Sequence, residues 1–533
     1  MKRLFVLLLS IVALVACDKP APEPKPQPKP DPDPDPVVLP QDIVPNITQL
    51  GYVSTSTDGV QRIECTKESF SVAILPLYLI VEPEELIDKI IEYHADMVTL
   101  NIFLDDSDTP IVLTPTPGKA ENWQGWLYVE YACDNLPMEL YRGEVSATGC
   151  VTISDGVNSL STESFSIGVN IPAPSSNQLW YFTSDGQPVE FKSNNGPAIT
   201  SVDSPLYGKY VVTFAENLTH IPSAYFNSKS KVTRVVLPNS ITSMDNDAFQ
   251  MCYDLTTINI PSGITQLSQM MFSVTKLRNV YIDDLAAWCS ITFNGPILEG
   301  LEENTTKSAL YVKGSKVSEI TIPQSVSKIP RYAFMFDNLK RIHLHDGVTK
   351  IGANAFDHAG LEEFTMPNSV TEIEANLFCA CRNLKSVTLS SGLAEIPMHT
   401  FNECTSLTEI IIPEGVKTID RAAFYRCLSL VDVTLPDSVE QIKDQMFAGC
   451  ESLQTVVFGS GVKSIGDAPF LKCKKMNKIT LKATTPPTLL IDLFRDSQYG
   501  VPANLEIYVP AEAVEAYKSS ASWAKYADYI LPL

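Results

Sequence analysis

Residues 407–427 read Leu-Thr-Glu-Ile-Ile-Ile-Pro-Glu-Gly-Val-Lys-Thr-Ile-Asp-Arg-Ala-Ala-Phe-Tyr-Arg-Cys. The alternation at Ile410 and Ile412 predicts a short strand whose two side chains both point inward. Pro413 ends that strand, because proline has no N–H to donate to a ladder. The apolar residues that follow recur at three- and four-residue steps. That spacing predicts a loose helical or 3₁₀ turn whose apolar edge faces the same core.

The same unit returns along the chain at intervals of 22 or 23 residues. Its most regular member is a phenylalanine, found at Phe226, Phe249, Phe272, Phe334, Phe356, Phe378, Phe401, Phe424, Phe447 and Phe470. A period this short predicts a solenoid, since one unit cannot bury its own apolar face and must stack on its neighbours. About ten coils at ~4.8 Å each would make a rod of roughly 50 Å with one parallel strand per coil. The predicted fold class is therefore a β-rich solenoid of the leucine-rich-repeat type.

Six cysteines follow the repeat phenylalanine by three residues and form a column. They are Cys252, Cys381, Cys404, Cys427, Cys450 and Cys473. In-register stacking would hold their Cβ atoms about 4.8 Å apart and parallel, beyond the ~3.8 Å of an unstrained disulfide. Free core thiols are therefore favoured over crosslinks, and redox sensing is the competing hypothesis. A bridge from Cys133 to Cys150, outside the repeats, stays open.

The N-terminus has the layout of a secretory signal. Met1-Lys2-Arg3 precedes an apolar run that ends at Ala16, which predicts a cleaved signal peptide over residues 1–16. The tetrad Leu14-Val-Ala-Cys17 resembles the bacterial lipobox, which implies lipidation of Cys17 and anchorage to a lipid bilayer. No other run approaches the ~18 consecutive apolar residues of a membrane helix.

A proline at every second position from Asp18 to Pro36 predicts an extended stalk, assigned to residues 17–44. Residues 45–174 carry five strand candidates between polar turns, which predicts a small β-sandwich, with an immunoglobulin-like arrangement as one form of it. One segment, Pro83 to His94, has helical spacing, so this N-terminal domain is predicted to be β-rich with one helix.

The remaining boundaries follow from the repeat. The solenoid is assigned to residues 175–481, with an N-terminal cap at 175–215 and an insertion at 283–318 that interrupts the period. Residues 482–533 form the predicted C-terminal cap, because the last coil of a solenoid would otherwise expose its core.

The charge balance limits the partners. The chain carries 40 basic and 62 acidic residues, a net charge of −22. Removal of Lys2 and Arg3 with the signal leaves 38 basic residues and a net charge of −24. So acidic a surface argues against nucleic acid as a partner and is otherwise typical of a soluble surface.

The repeat unit resembles the leucine-rich repeat of BspA-like surface proteins. The shared pattern is Leu-x-x-[Ile/Val]-x-[Ile/Leu]-Pro-x-x-Val-x-x-Ile-x-x-x-Ala-Phe-x-x-Cys, and the resemblance covers residues 178–533. It implies a secreted or surface-anchored bacterial protein, with some relatives acting as adhesins for matrix proteins or other bacteria. Together with the lipobox it implies an outer-membrane lipoprotein of the Bacteroidota type, exposed at the cell surface. The side of the membrane stays open, because only Asp18 separates Cys17 from Lys19.

Motifs of catalysis do not appear. The sequence has no Gly-x-Ser-x-Gly, His-Glu-x-x-His, P-loop or Cys-x-x-Cys, so no enzyme activity, metal or cofactor is predicted. His343 and His345 share one face of a strand, as a metal pair would, but neighbouring units offer no third ligand, which favours surface histidines. Asp105-Asp-Ser-Asp108 lacks the glycine and distal glutamate of a calcium loop, which favours a hairpin turn.

Two functional classes remain. The first is a binding or adhesion protein for a matrix protein or another cell-surface partner, through outward strand residues whose candidate set is Tyr281, Thr321, His343, Thr365, Thr388, Ile411 and Thr434. The competing explanation of these residues is plain β-propensity. The second class is a glycan-capture component of a polysaccharide-uptake system, with Trp123 and Trp126 as a sugar platform, although paired tryptophans more often belong to a core.

Overall fold

The computed structural model of the chain describes residues 39, 41, 43–53, 61–65, 73–104, 111–113, 115–123, 126–132, 143–155, 157–171, 174–191, 196–206, 208–298, 308–495 and 500–533. The predicted signal peptide, Cys17, nearly all of the stalk, the Asp105–Asp108 turn and Cys133 lie outside these residues. Their predictions therefore stay as predictions.

The N-terminal domain is one sheet of ten strands. In sheet order its main path is Ile111–Leu113, Val98–Leu104, Gly143–Ser154, Phe165–Ile171, Gln61–Cys65, Ala73–Glu82, Trp126–Ala132 and Pro115–Trp123. Gln49–Val53 adds to Ala73–Glu82, and Ser159–Ser161 adds to Gly143–Ser154. All pairs are antiparallel except Phe165–Ile171 with Gln61–Cys65. A β-rich domain before the solenoid is confirmed.

The predicted helix of this domain is present in pieces. A 3₁₀ turn at Glu84–Leu86 leads into helices Ile87–Glu92 and His94–Met97, and a further 3₁₀ turn occupies Val44–Asn46. Pro83 precedes the first turn in an extended conformation, so it is not the first helical residue as predicted. Leu86, Ile87 and Ile90 are buried on the apolar side that the sequence spacing indicated.

The solenoid begins with an antiparallel cap and then turns parallel. Ile199–Leu206, Lys209–Phe214 and Gln178–Thr183 form the cap, whose last strand pairs with Val232–Val236. We give the name front strands to the strands that come after the cap. They are Val232–Val236, Thr257–Asn259, Asn279–Ile282, Ala309–Val312, Glu319–Thr321, Arg341–His343, Glu363–Thr365, Ser386–Thr388, Asp432–Thr434, Thr455–Phe458, Lys478–Leu481, Glu506–Val509 and Ile530–Pro532. The strand predicted at Ile410 and Ile412 is wrong, because these residues make no ladder with either adjacent coil, although both side chains are buried as predicted.

A second set of short parallel strands lies on the return path of each coil. These side strands are His220–Ile221, Ser243–Met244, Gln266–Ser268, Thr292–Asn294, Lys328–Ile329, Lys350–Ile351, Glu372–Ile373, Glu395–Ile396, Thr418–Ile419, Gln441–Ile442, Ser464–Ile465 and Thr488–Leu489. The return path was predicted as a helical turn. A helix or 3₁₀ turn before the repeat phenylalanine occurs at Ser223–Phe226 and Gln269–Phe272, whereas the later repeat coils have non-helical turns there.

Left-handed residues explain why those turns are not helical. Fifteen non-glycine residues with positive φ stand two positions before or after a repeat phenylalanine: Ser228, Met251, Val274, Tyr332, Asn354, His358, Asn376, Ala380, His399, Glu403, Ala422, Arg426, Gln445, Ala468 and Lys472. A positive φ is energetically unfavourable for residues other than glycine. The left-handed conformation directs backbone N–H groups at the next coil. Ala422 N donates to Asp444 O at 2.9 Å, and Arg426 N donates to Ala448 O at 2.8 Å. A helix would turn the same N–H groups back on their own coil.

The phenylalanines stack inside the solenoid on both sides of the insertion, from Phe226 to Phe272 and from Phe334 to Phe470. Rings of successive coils lie 5.2 Å apart at Phe401 and Phe424 and 6.2 Å apart at Phe334 and Phe356, measured between centroids. All of these side chains are fully buried. The stack continues beyond the predicted repeats to Phe494, 5.7 Å from Phe470. Each coil therefore contributes one ring to a core that no coil could complete by itself.

The column cysteines are free, buried thiols, as predicted. Each thiol lies within hydrogen-bonding distance of the carbonyl oxygen of the preceding coil's phenylalanine. One example is Cys427 Sγ to Phe401 O at 3.2 Å, and the distance is 3.0 Å from Cys450 to Phe424. Burial raises the pKa of these thiols, so they stay protonated and serve as donors.

Two irregular segments complete the rod. The insertion holds a short helix, Leu285–Trp288, and a hairpin strand, Ser315–Lys316, which pairs with the front strand before it. The C-terminal end holds 3₁₀ turns at Ala511–Ala513 and Ala524–Tyr529 and helix Val514–Ser519. The solenoid runs over residues 220–532 in about 13 turns, more than the ten predicted, because segments without the repeat phenylalanine also coil.

The ring stack makes a stability prediction. Phe424→Ala should lower the free energy of unfolding by about 3–5 kcal/mol, because a large buried side chain leaves a cavity between two packed coils. Thr434→Ala, at an exposed position, should change it by less than about 0.5 kcal/mol. Denaturant unfolding of both variants measures the difference. Equal losses would show that the inward and outward sides of the coils are wrongly assigned.

Candidate ligand-binding ribbon

The outward residues of the front strands, together with Ile411 from the coil between Thr388 and Thr434, form a column that is open to solvent in the middle of the solenoid. Thr321, His343, Thr365, Thr388, Ile411 and Thr434 are exposed, and Val457 is half-buried. Six of the seven candidate ligand residues therefore lie on one surface, which we call the ribbon. Six steps of ~4.8 Å give it a length of about 29 Å.

Tyr281 is the exception, and its predicted exposure is wrong. Its side chain is fully buried and stacks on Tyr311 of the next coil, with ring centroids 4.1 Å apart. The guanidinium of Arg234, itself buried, lies 5.5 Å from the centre of the Tyr281 ring. Strand alternation aims the residue away from the solenoid core, as predicted, but neighbouring side chains cover it.

The upstream end of the same face is covered by the N-terminal domain. Trp180, Phe182, Val211 and Val236 belong to one buried apolar cluster with the core of that domain, and not to the core of the solenoid. The buried ammonium of Lys209 lies 4.6 Å from the centre of the Trp180 ring. The first coils therefore use their outward side for contact within the chain.

The downstream end is also closed. Thr480 is buried, and its register partner is Tyr508 of the following front strand. The ribbon available to a partner thus runs from Thr321 to Val457.

A second outward column borders the first and was missed in the sequence analysis. It stands two residues earlier in each coil and consists of Glu319, Arg341, Glu363, Ser386, Glu409 and Asp432, all exposed. The signal was available, because strand alternation places residues i and i+2 on the same side. The ribbon is therefore a threonine-rich column, which also contains His343, Ile411 and Val457, beside a charged column with four carboxylates and one guanidinium.

The upstream charges are paired across coils. Arg341 Nε donates to Glu363 Oε1 at 2.6 Å, and His343 Nε2 lies 2.6 Å from Glu319 Oε1. The hydrogen bond to Glu363 raises the pKa of Arg341. Both pairs are exposed to solvent, so they orient the side chains more than they stabilise the fold.

A cleft of about 380 Å³ opens between the coils of Arg341 and Glu363. The strand Arg341–His343 pairs with the preceding coil and Glu363–Thr365 with the following one, each in a sheet of two strands. The cleft is lined by His343 and Thr365 from the candidate set. Leu344 also lines it and is only partly buried, unlike the equivalent Met366.

The local sequence accounts for this opening. His345 stands where the neighbouring repeats have Pro323 and Pro367. Its Nδ1 accepts a hydrogen bond from Gly347 N at 3.0 Å, and its Nε2 can donate to Pro323 O at 3.0 Å. Both ring nitrogens of His345 are used in the turn, so it does not pair with His343 around a metal.

Other predicted sites have little structural support. Among the described residues no group of three His, Cys, Asp or Glu side chains is arranged to hold a metal ion. Cys150 has no disulfide partner among the described cysteines, and Cys133 lies outside them, so the bridge between the two stays a prediction. Trp123 and Trp126 are register partners in the hairpin of Pro115–Trp123 with Trp126–Ala132. Their side chains lie outside the described ones.

Comparison with known families agrees with this architecture. A family model described as a BspA type leucine-rich repeat region matches in six copies over residues 210–295, 304–430 and 417–488, together about half of the chain. A search of curated proteins finds no match.

Several solved bacterial leucine-rich repeat proteins are similar in structure. A protein from Bacteroides ovatus is 22% identical over 59% of this chain and 91% of its own, with a TM-score of 0.33. A cell surface protein from Faecalibacterium prausnitzii is 19% identical over 67% and 94%, with a TM-score of 0.33. The pneumococcal vaccine antigen PcpA is 17% identical over 65% and 91%, with a TM-score of 0.28. At these scores, family membership rests on the repeat model and not on these structures.

The burial of Tyr281 can be tested by stability. Tyr281→Ala should lower the free energy of unfolding by about 3–5 kcal/mol, as expected for a buried aromatic ring. Thr388→Ala, on the open ribbon, should change it by less than about 0.5 kcal/mol. If Tyr281→Ala leaves the free energy of unfolding unchanged in thermal or denaturant unfolding, the Tyr281 side chain is exposed and not buried.

Proposed function

The chain belongs to the BspA-type leucine-rich repeat family, and on that basis we propose that it is a surface binding protein that holds an extracellular protein on the ribbon and carries out no catalysis. Proteins of this family are typically found at the cell surface, and leucine-rich repeat proteins are generally binding proteins and not enzymes. Beyond these family properties, we propose adhesion through the ribbon.

One observation carries it: the ribbon is the stretch of front strands that neither the N-terminal domain nor the C-terminal end covers. Its outward side chains from Thr321 to Thr434 are exposed, while the equivalent side chains before and after it are buried or half-buried; the buried ones are Val236, Asn259, Tyr281 and Thr480. A rigid, open strip of about 29 Å suits a protein surface or an extended chain better than a small molecule.

The composition of the ribbon favours a protein over a glycan. Within the described residues from Glu319 to Val457, neither outward column contains a phenylalanine, tyrosine or tryptophan. Threonine, isoleucine and charged groups give a surface of β-branched contacts with hydrogen-bonding capacity at its edge.

We place the protein on an outer membrane through lipidated Cys17, with the proline-rich stalk as spacer. Among the described residues, no helix has the length and apolar content to cross a bilayer. Anchorage in this proposal relies on the lipobox-like tetrad at Leu14–Cys17.

Anchorage is tested by Cys17→Ser. The change removes the acceptor of the lipid, so the protein should move from the detergent phase to the aqueous phase and lose its association with cells. Phase partitioning and fractionation measure this. A variant that still partitions as wild type would show that Cys17 is not the anchor.

Binding through the ribbon is tested with neutral, longer side chains. Thr365→Gln, Thr388→Gln and Thr434→Gln together should weaken any partner captured from a panel of matrix proteins and bacterial cells by about tenfold or more, since contacts at the centre of an interface dominate its affinity. Circular dichroism should stay native, because the changed positions face water.

The matched control lies on the side of the same solenoid. Thr242→Gln, Thr349→Gln and Thr371→Gln change three exposed threonines that share one repeat position away from the ribbon. This control should keep wild-type affinity within about twofold. Loss of binding in the control variant, or unchanged binding in the ribbon variant, would show that the binding site lies elsewhere.

Glycan capture by the N-terminal domain is the second candidate. The observation in its favour is the register pairing of Trp123 with Trp126 across one hairpin. A glycan array probed with the intact protein separates the two functions. Glycan binding that is lost in Trp123→Ala with Trp126→Ala would favour capture over protein adhesion.

A further inference from the structure

The downstream half of the ribbon differs from the rest in one apolar residue. Ile411 is 81% exposed, more than any other large apolar side chain in the described part of the chain. Its equivalents in the adjacent coils are Thr388 and Thr434. The exposed Ile411 side chain makes no hydrophobic contribution to the solenoid core. Its burial under a partner would therefore contribute hydrophobic free energy to binding.

The same region carries two carboxylates at equivalent positions of adjacent coils. Glu409 stands two residues before exposed Ile411, and Asp432 stands two residues before exposed Thr434 in the next coil. Like charges at equivalent positions of stacked coils repel each other. Upstream, Glu319 and Glu363 are matched by His343 and Arg341. In contrast, within the part of the chain that the structure describes, neither Glu409 nor Asp432 has an ion pair with a cation, and Lys385 has none with a carboxylate.

We propose that this half of the ribbon docks an extended protein segment in which a lysine or arginine stands two residues from an aliphatic side chain. Glu409 and Ile411 have that same two-residue spacing, so a partner strand can place its cation between Glu409 and Asp432 while its aliphatic side chain covers Ile411. The inference rests on the proposed function and names the class of partner.

Charge complementarity excludes the other occupants. The stalk of this chain, Asp18 to Pro36, has three lysines against five acidic residues, so it is not a cationic ligand in cis. A second copy brings a net charge of −22 to an acidic surface. Nucleic acids and acidic polysaccharides are repelled for the same reason.

The probe is a fluorescent peptide of three Lys-Ser-Val-Ser units, in which lysine and valine share one face of a strand. Its counterpart has glutamate in place of lysine. We expect the intact protein to bind the lysine peptide at least about tenfold more tightly than the glutamate peptide at low salt, with an affinity that falls as salt increases. Fluorescence anisotropy measures both.

Variants separate the site from the overall acidity of the chain. Glu409→Gln with Asp432→Asn should weaken the lysine peptide by about tenfold, and Ile411→Thr by about fivefold, since each removes one half of the contact. Glu512→Gln with Glu515→Gln makes the same charge change at exposed positions of the C-terminal end and should stay within about twofold. Leu490→Thr is the matched control for Ile411, because Leu490 is exposed but lies outside the ribbon.

The outcomes are distinct. No binding of the lysine peptide by wild type, equal binding of both peptides, or equal losses in the ribbon and control variants would overturn this inference. If Thr365→Gln, Thr388→Gln and Thr434→Gln abolish capture of a natural partner while Glu409→Gln with Asp432→Asn leaves it intact, the proposed function stands and the cationic class falls.

Discussion

Register between coils is the constraint on which the rest of the structure depends. Each coil is too small to form a core, so its phenylalanine ring, its cysteine thiol and its backbone donors are all completed by an adjacent coil. This mutual dependence lets left-handed alanine, glutamine and arginine residues persist, because their backbone donors reach the next coil only in that conformation. A slip of one residue would break all three interactions at once.

The same register produces the surface. Side chains that alternate away from the core must stand in columns, and the columns form a rigid strip whose composition can vary without cost to the fold. What limits this strip is the chain itself. The N-terminal domain covers the outward side near Trp180 and Val236, and Tyr508 borders the far end. Binding capacity is thereby confined to about seven coils.

Much of the solenoid could be predicted from the sequence because the phenylalanine period is written directly in it. The left-handed turns could not, since Gln445 or Ala422 carries no local preference for positive φ. The columns were predictable by strand alternation, and the one at Glu409 and Asp432 needed only a shift of two residues. The burial of Tyr281 was not predictable, because it depends on Tyr311, a residue of the insertion that interrupts the repeat.

Carbodiimide labelling of carboxylates, with and without a bound protein partner, tests the ribbon most directly. We predict that Glu363, Glu409 and Asp432 lose labelling in the complex. Glu440 and Glu451, which pair with Lys463 and Lys474 at other positions of the coils, should keep it. Protection of Glu440 and Glu451 with continued labelling of Glu409 and Asp432 would contradict the account and move the binding surface away from the ribbon.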